Sequence, residues 1–453
     1  MINWRQPVLK FYDERVMNRP IPRCRAQISD FYALPREARR NLRDQRLTQL
    51  LRHAARHVPH YRKLLVEQEI ARGDAIDLTK FGKVPPLTRS FLQNSPESLK
   101  SDDLSSRDWY KNSSGGSSGE PVAVIQDQDY NAMGIAMTET YHGWAGRGSG
   151  ESVIKLWGSD RDVVSGTLGW RNKLSGFVRN QKWANSFKMS EAAMLRYLDW
   201  IRQRRPVLIE AYADSAFELA RLVNARETKV SGVRHVITSA GTLHPFMREE
   251  ISRAFGCPTL NRYGCREVGD IAGERTANGG LEVFDYCNLV EVVKADGQPC
   301  QEGEEGDVLV TNLTNFAMPL IRYRIGDRAV VGKSLDGPPT FVERLETISG
   351  RCTDAFIMRD GSTVPGMFFV YFLTVVHEKG WIRKVQIVQR DYDDVLINMV
   401  VKTAPVQSAL DEIAASLRIL VGQSCNISFE TLHDIPTLKS GKSNYVVSLV
   451  NRP

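Results

Sequence analysis

The chain has 453 residues, of which 42% are hydrophobic and 25% are charged, and its formal net charge is +7. This length suffices for two or three domains with substantial cores, and the composition is that of a globular protein rather than of a disordered or fibrous one. No window approaches the ~18 consecutive apolar residues that a transmembrane helix requires, so we expect no membrane span.

The first residues and the cysteines indicate a cytoplasmic protein. Residues 1–7 lack the apolar segment of a signal peptide, and the seven cysteines are odd in number and scattered, unlike a disulfide framework. Part of the positive charge lies in a run of arginines between Arg36 and Arg46. A nucleic-acid patch and a solvated helix face are both compatible with this run. We favour the helix face and expect no nucleic-acid partner, because no aromatic residues are interleaved with the arginines.

Residues 1–110 are predicted to be a mostly helical lead-in. Apolar residues from Leu47 to Val58 recur at helical spacing, and Pro59 stops that run. Residues 84–88 (VPPLT) are predicted to be an extended connector, since a residue before proline avoids the helical region.

Strands and helices alternate between residues 150 and 263. Strands are predicted at 153–157, 207–212, 233–238 and 259–263. Ser190 and Asp214 are placed to cap two of the intervening helices. This alternation is typical of βαβ units and predicts a largely parallel sheet.

The pattern changes after Gly273. Short strands separated by glycine-rich turns, at 281–284, 290–293 and 307–310, predict an antiparallel sheet or a small barrel. A last unit begins beyond Gly350, with predicted strands at 385–389, 395–401 and 427–431 and a helix carrying Leu410 to Val421. These elements predict a compact α+β domain of about 100 residues.

The segment 112–121 (NSSGGSSGEP) is the most informative stretch. A serine- and glycine-rich run bends tightly and aims several N–H groups and hydroxyls at one point, as phosphate-binding loops do. A flexible linker is the alternative, but strand-like segments on both sides argue against it. The segment is not a P-loop, because Glu120 follows Gly119 where Lys is required. Gly115–Gly119 matches the G-x-S-x-G nucleophile elbow, yet a strand rather than a helix is predicted to follow, which argues against a serine hydrolase.

Two further motifs lie at predicted strands. Residues 261–269 (NRYGCREVG) place Glu267 just after a strand, where ligands of open α/β sheets bind and where a carboxylate can hold Mg²⁺. Residues 320–327 (LIRYRIGD) set two arginines and Asp327 into an apolar strand. By strand alternation Arg322 and Arg324 are predicted to face one side; a charged strand edge is the structural alternative.

The last two motifs are Ile348–Arg351, at the predicted domain boundary, and residues 436–443 (PTLKSGKS), a turn that presents Lys442. Such a turn is equally compatible with a solvated hairpin.

Taken together and in this order, the five motifs resemble those of the adenylate-forming superfamily of acyl-CoA synthetases, above all its phenylacetate–CoA ligase branch with the CapK-type capsular-polysaccharide relatives. Ser114–Pro121 looks like the family loop Thr-Ser-Gly-Thr-Thr-Gly-Lys-Pro, and Tyr263–Glu267 looks like Tyr-Gly-x-x-Glu. Arg322–Asp327 is similar to Arg-Tyr-Arg-x-x-Asp, Gly350–Arg351 to the Gly-Arg hinge, and Ser440–Lys442 to the C-terminal Ser-Gly-Lys.

The resemblance implies an α/β fold in two domains. Residues 1–349 would form a large N-terminal domain that binds ATP and the acid, with parallel sheets flanked by helices and a small antiparallel β-barrel. Residues 350–453 would form a small, mobile α+β domain that carries the catalytic lysine.

The resemblance also implies a role for each matching residue. The ATP phosphates would be held by Ser114, Gly116, Ser117, Ser118 and Gly119. The remainder of the nucleotide would be bound by Ala240, Gly241, Arg262 and Tyr263 around the adenine and by Asp327 and Arg351 at the ribose. Glu267 would ligate Mg²⁺, and Lys442 would bridge the carboxylate and the α-phosphate. A cation suits that position because charge accumulates on the α-phosphate during attack.

The pocket for the acid and a zinc site are less well marked. The candidates for the pocket are Tyr141, His142, Trp144, Tyr212 and Gly264. The four central cysteines, at 257, 265, 287 and 300, include no C-x₂-C pair and no intervening histidine, so we expect ordinary thiols rather than zinc. Three positions depart from the family pattern: Gly115 and Glu120 in the loop, and Thr353 after the hinge.

The resulting hypothesis is a ligase that forms an acyl-adenylate and pyrophosphate from ATP, Mg²⁺ and a small carboxylic acid. The acyl group would then pass to CoA, a carrier-protein thiol, an amine or a hydroxyl. An acyl-protein synthetase that feeds a reductase, and a non-catalytic protein that binds AMP or ATP, are the alternatives. Retention of Glu267, Asp327 and Lys442 argues against the latter. The acid, the acceptor, the pathway and the oligomeric state stay open, a dimer being one option.

Overall fold

The computed structural model describes residues 5–113, 122–157, 170–186, 189–333, 341–351, 355–357, 359, 363–365, 381–435 and 446–450. The chain divides into two compact units, the first ending at Ser349 and the second beginning at Gly350.

The lead-in of the first unit is helical, as predicted. Its helices are α1 (Arg5–Phe11), α2 (Ile21–Ala33), α3 (Arg36–His57), α4 (Pro59–Glu67) and α5 (Arg89–Asn94), with a short hairpin of β1 (Ala71–Arg72) and β2 (Ala75–Ile76). Leu47, Leu50, Leu51 and Ala54 of α3 are all buried in the core of this unit. Pro59 ends that apolar run by opening the next helix, where its missing N–H costs nothing.

The arginine-bearing face of α3 is not solvated, which corrects the prediction. Arg43 is 5% exposed, and the Arg46 guanidinium lies 4.1 Å from the centre of the Tyr286 ring. Arg36 and Arg40 both ion-pair with Glu343, at the start of a strand about 300 residues away in the chain. These arginines therefore join the helical lead-in to the antiparallel strands.

The parallel half of the sheet follows the predicted βαβ alternation. After the hairpin of β3 (Trp109–Ser113) and β4 (Ala123–Asp127), its strands are β5 (Val153–Leu156), β6 (Gln181–Ala184), β7 (Leu208–Tyr212), β8 (His235–Ser239) and β9 (Thr259–Cys265). The helices are α6 (Gln128–Trp144), α7 (Trp170–Val178), α8 (Glu191–Arg204), α9 (Ala213–Ala225) and α10 (Pro245–Phe255). Helices α8, α9 and α10 cover one face and helices α2 and α6 the other, so both faces are buried.

The antiparallel strands continue the same sheet. They are β10 (Gly269–Glu274), β11 (Leu281–Val283), β12 (Asn288–Val293), β13 (Glu305–Asn312), β14 (Tyr323–Val331) and β15 (Arg344–Arg351). The strand order is β12-β13-β14-β15-β11-β10-β9-β8-β7-β5-β6. Parallel and antiparallel strands were both predicted, but as separate parts; the antiparallel pairing of β9 with β10 instead joins them into one mixed sheet. The N–H of Val342 donates to Val290 O at 2.8 Å, so the antiparallel strands curl towards β12.

The second unit has its own sheet and core. A hairpin of β16 (Ala355–Ile357) and β17 (Thr363–Pro365) precedes β18 (Ile382–Asp391), β19 (Asp394–Val401), helix α11 (Gln407–Val421), β20 (Asn426–Thr431) and β21 (Val446–Ser448). The sheet order is β20-β19-β18-β21. Buried side chains of α11, among them Ile413 and Leu417, pack on Ile387 and Ile397 of the sheet. The predicted strands and helix of this region are confirmed.

Two local predictions concern caps. Ser190 caps α8, where its Oγ accepts from Ala193 N at 3.4 Å. Asp214 is not the N-cap of α9, because that helix already begins at Ala213 and its N-cap residue is Tyr212. Asp214 instead places its charge in the first turn, where an acid suits the helix dipole.

A buried ion cluster holds the N-terminal segment. The Arg179 guanidinium contacts both Asp13 and Glu139, and Asp13 is only 4% exposed. Burial raises the pKa of Asp13 from 3.8 to about 6, although Arg179 opposes this shift.

Asp13 should therefore destabilise the fold as pH rises. A carboxyl whose pKa is higher in the folded than in the unfolded state favours folding below pH ~4 and loses that contribution as pH rises through ~6. A shift of this size corresponds to about 3 kcal/mol. We expect the difference in apparent free energy of unfolding, Asp13→Asn minus native, to grow by about 2 kcal/mol between pH 4 and pH 6, because the two titrations are only partly complete at these values. A pH-independent difference in urea denaturation would contradict this expectation.

Candidate functional site

The carboxyl ends of β7, β8 and β9 lie side by side. Tyr212 pairs with Ser239 and Thr238 with Asn261, so the residues that follow these strands meet at one edge. Ala240 has a left-handed φ of 65°, which is strained for a residue with a Cβ and typical of functional loops. A Cβ on the next residue, Gly241, would be 3.6 Å from the Cβ of Ala213. The Ala240–Gly241 turn thus lies close against the start of α9.

The turn from β9 to β10 carries Glu267. A Cβ on Gly264 would come within 2.6 Å of Gly269 O, so the close approach of the two strands requires glycine there. The side chain of Gln126, 1% exposed on β4, donates its Nε2 to Arg266 O at 2.8 Å and to Glu267 O at 3.3 Å. A buried amide thereby holds the backbone of the turn.

The same turn lies at the base of the serine–glycine loop. Asn112 of β3 donates to Gln126 Oε1 at 2.9 Å, and Arg266 Nη1 donates to Ser113 O at 3.4 Å. Ser113 is the last described residue before the loop and Val122 the first after it. The hairpin of β3 and β4 therefore starts and ends the loop beside Glu267.

Glu267 is 6% exposed, and its carboxylate lies beside the cationic side chain of Arg89. Arg89 Nη1 lies 3.3 Å from Glu267 Oε1, and the other carboxylate oxygen accepts no hydrogen bond from the described residues. A buried carboxylate oxygen that accepts no hydrogen bond from these residues is chemically suited to bind Mg²⁺, because Mg²⁺ takes one or two protein carboxylates plus phosphate oxygens.

Asp327 joins this site from a distant part of the chain. The Tyr263 hydroxyl donates to Asp327 Oδ2 at 2.9 Å, which brings β14 to β9. The thiol of Cys265 lies near both acids: burial, then Glu267 and later Asp327, raise its pKa well above the ordinary value. Three motifs that are separate in sequence thus meet in one place.

The two arginines of the 320–327 motif make separate ion pairs, and strand alternation, on which their predicted common side rested, applies only to Arg324. Arg322 has a left-handed φ of 51° and precedes the strand, so strand alternation does not apply to it. Its buried guanidinium contacts Glu291 at 3.0 Å and Gly82 O at 2.7 Å, and it ties the connector to the sheet. Arg324 pairs with Asp307 at 3.4 Å.

A buried ion network lies behind the strand ends. Glu210, 2% exposed, contacts Lys155 Nζ at 2.7 Å and Arg262 Nη2 at 2.6 Å, and Arg262 reaches Asp270 at 3.2 Å. Burial alone would raise the pKa of Glu210, but Lys155 and Arg262 hold it well below its usual value. His142 Nε2 lies 3.4 Å from Glu210 Oε2, and burial lowers the pKa of this histidine. The side chain of Arg262 is therefore committed to the network.

The residues proposed for the acid pocket separate into two groups. Tyr212, at the end of β7, packs on the Trp157 ring with 4.6 Å between the ring centres, and Gly264 lies near the end of β9, with β8 between the two strands. Tyr141 lies instead in the core, fully buried, where its hydroxyl donates to Glu274 O at 3.0 Å. Trp144, at the far end of α6, packs against the Arg275 guanidinium. Tyr141 and Trp144 thus have packing and hydrogen-bond partners of their own, and their place in an acid pocket stays a prediction.

Several predicted site residues lie outside the described residues, namely Ser114, Gly116, Ser117, Ser118, Gly119 and Lys442. Of Arg351 only the backbone is described, at the end of β15. The sequence reasoning missed Arg89, Gln126, Lys155, Glu210 and Asp270. A single charge inside an apolar strand, as for Lys155 in VIKLW and Glu210 in VLIEAY, was a signal that could have found two of them.

Among the described residues, none of the central cysteines belongs to a cluster of side chains that could bind a metal ion. Burial raises the pKa values of Cys257 and Cys287 to about 12, which keeps both thiols protonated. The grouping of side chains with metal-binding atoms in the described part is His53, His57 and Asp103. There Arg107 occupies both oxygens of Asp103 at 2.7 Å.

Removing the charge of Glu210 should destabilise the first unit. Glu210→Gln keeps the shape of the side chain but leaves Lys155 and Arg262 buried with a neutral neighbour. Breaking a buried pair in this way typically costs about 3–5 kcal/mol. Urea denaturation measures the loss, and a cost below about 1 kcal/mol would show that the network is hydrated.

Glu218→Gln provides the matched control for that experiment. Glu218 lies on α9 with a side chain that is 36% exposed, and it pairs with Arg221 at 3.7 Å. Exposed pairs contribute about 0–1 kcal/mol, so we expect almost no change.

Comparisons with known proteins find similar sequences. The model of the CapK C-terminal domain matches residues 356–449. The chain is 21% identical over 417 residues to Protein CapK of Staphylococcus aureus, covering 90% of this chain and 88% of that protein. It is 26% identical over 339 residues to Phenylacetate-coenzyme A ligase of Escherichia coli (strain K12), covering 72% and 74%.

Solved structures share the fold. The crystal structure of 2-hydroxyisobutyryl-CoA ligase in the postadenylation state superposes with a TM-score of 0.69 at 19% identity, covering 92% of this chain and 90% of that one. The amide bond synthetase McbA from Marinactinospora thermotolerans gives a TM-score of 0.50 at 17% identity, covering 74% and 67%. Across the described residues, every helix is too short or too polar to traverse a bilayer.

Proposed function

The chain is a relative of CapK and of the phenylacetate–CoA ligases within the adenylate-forming superfamily, and from this we propose that it activates a small carboxylic acid with ATP. The products of the first half-reaction are an acyl-adenylate and pyrophosphate. The acyl group then passes to CoA or to another thiol, amine or hydroxyl.

One observation carries this proposal. The ends of the serine–glycine loop, the Glu267 turn and Asp327 meet at the carboxyl ends of the parallel strands, through the contacts of Gln126 and Tyr263. Open α/β sheets bind their ligands at that edge. A nucleotide there would have a hydroxyl- and amide-rich loop at its phosphates and a carboxylate at its ribose.

Each group in this site has a role in the proposal. The loop residues from Ser114 to Gly119 hold the β- and γ-phosphates with hydroxyls and amides. Ala240, Gly241 and Tyr263 flank the adenine, to which Arg262 offers its main chain. Asp327 accepts hydrogen bonds from the ribose, with help from Arg351.

The chemical step is an electrostatic problem. The carboxylate and the α-phosphate are both anions, and the α-phosphorus gains further negative charge as they react. Lys442 places a cation between them, and Glu267 would hold a Mg²⁺ that neutralises phosphate charge. The carboxylate oxygen forms the new bond to phosphorus, and the bond to pyrophosphate breaks.

The second half-reaction needs Lys442 to leave. We propose that residues 350–453 move about the Ser349–Gly350 boundary between the two half-reactions, as a mobile domain. Phenylacetate–CoA ligases and a 2-hydroxyisobutyryl-CoA ligase are among the proteins similar to this chain. CoA is for this reason the acceptor to test first.

Lys442→Ala should remove most of the adenylation activity. The measurement is acid-dependent exchange of pyrophosphate into ATP, with a panel of aryl, aliphatic and amino acids. Losing a preorganised charge of this kind typically costs 10²–10³-fold in rate. A loss smaller than about tenfold would show that Lys442 has no catalytic role, and no exchange with any acid would favour a non-catalytic nucleotide-binding protein.

Asp327→Asn should weaken ATP binding more than it slows the chemical step. Hydrogen bonds to a charged group contribute about 1.5–3 kcal/mol, so we expect the KM for ATP in the exchange assay to rise about 10- to 100-fold. Tyr263→Phe, which removes only the hydroxyl that donates to Asp327, should raise it less.

Asp296→Asn is the control for that series, because Asp296 lies in an exposed turn, where its carboxylate accepts from Gln298 N. An unchanged KM in Asp327→Asn, or an equal rise in Asp296→Asn, would contradict the proposed ribose contact.

A further inference from the structure

A partly open cavity lies at the opposite end of α6 from the candidate site. It has a volume of about 470 Å³ and is lined by residues of α1, α2, the last turns of α6 and the turn at 146–150 that precedes β5, together with Arg179. Helix α6 has 17 residues, which at 1.5 Å per residue makes it about 25 Å long. Its first end adjoins Gln126 and the Glu267 turn, and its last end adjoins the cavity. The cavity is therefore at the amino ends of the parallel strands, remote from the proposed nucleotide.

The walls of this cavity carry an excess of positive charge. Arg25, Arg147 and Arg179 line it, and the carboxylate among the lining residues is Glu139. Three positive charges against one negative leave a surplus of two. Asp13 contacts Arg179 from outside the lining residues, and including it still leaves a surplus of one.

Arg147 is the unusual member of this cluster. It is 8% exposed, and among the described residues its guanidinium donates to two main-chain oxygens, Glu151 O at 2.9 Å and Arg179 O at 3.1 Å. In the described part of the chain it forms no ion pair. Glu139 is already shared by Arg179 and, at 3.7 Å, by Arg25, so it cannot neutralise a third cation.

A buried charge without a counter-ion is costly, and an anionic ligand would relieve that cost. The carboxyl end of α6 carries a partial negative charge of about half an elementary charge, which repels an anion. The three positive charges of the arginines outweigh this repulsion. Arginine forks match phosphate oxygens in bidentate geometry. The volume lies within the ~300–1,000 Å³ of small-molecule sites, and Leu9 and Pro22 supply an apolar wall.

We propose that this cavity binds a phosphate dianion, either free or as the monoester of a small organic molecule, between Arg25, Arg147 and Arg179. The site is separate from the proposed nucleotide site and does not depend on the proposed function.

Isothermal titration of the full chain with inorganic phosphate, ribose 5-phosphate and ribose tests this proposal. We expect both phosphates to bind and ribose not to bind. If ribose 5-phosphate binds more tightly than inorganic phosphate, the ligand of the cavity is a phosphate ester. If the two affinities are equal, the ligand is free phosphate. Absence of binding by both phosphates, or binding of ribose as tight as that of its phosphate, would overturn the proposal.

Two variants locate the binding. Arg25→Gln removes a lining charge whose side chain is 37% exposed, so the fold should tolerate it, and we expect the affinity for phosphate to fall about tenfold or more. Arg23→Gln is the matched control, since Arg23 is exposed on the same helix but does not line the cavity. It should change the affinity less than twofold. Equal losses in the two variants would indicate non-specific attraction and overturn the proposal.

Arg147→Lys gives an independent readout. It keeps the charge but loses the bidentate fork, so the affinity for phosphate should fall although the net charge is unchanged. Thermal melting verifies that the variant folds. A folded Arg147→Lys with native affinity would overturn the role of Arg147 in the site.

Discussion

The turn between β9 and β10 is the constraint on which the candidate site depends. Gln126 is almost fully buried and satisfies its amide by donating to the two carbonyls of that turn. An unsatisfied buried amide costs about 1–3 kcal/mol, so β4 and the turn are positioned together. Gly264 permits the close approach that this arrangement needs. As a result, the start of the serine–glycine loop and the carboxylate of Glu267 are set by the same few hydrogen bonds.

The first unit buries cations in two different ways. Behind the strand ends, Lys155 and Arg262 are matched by Glu210 and Asp270, so the charges balance within a buried network. Such a network holds its members in one geometry and leaves no charge for a ligand. At the other end of α6, Arg147 is buried among main-chain oxygens without a carboxylate of its own. Balance in the first case indicates a structural role, and imbalance in the second indicates a binding role.

The errors in reading the sequence have a common physical cause. The arginines of α3 were expected to face solvent because their spacing is that of a polar helix face, but Glu343 and Tyr286 come from distant strands. Arg322 was expected to follow strand alternation, but its left-handed backbone precedes the strand. In each case the partner that decides the outcome lies far away in the chain. Local periodicity carries no information about such a partner.

The sequence by itself determined the order of elements, the change from parallel to antiparallel strands and the motifs around Glu267 and Asp327. These features depend on local spacing, on apolar periods and on residues with special backbone preferences, all of which are legible along the chain. Only the tertiary structure decided that Tyr263 donates to Asp327 and that Arg89 faces Glu267. It also decided that Tyr141 lies in the core and that Arg147 has no carboxylate partner among the described residues. Side-chain pairing across a sheet requires segments separated by dozens to hundreds of residues to meet, and that meeting is settled by packing of the whole unit rather than by any local pattern.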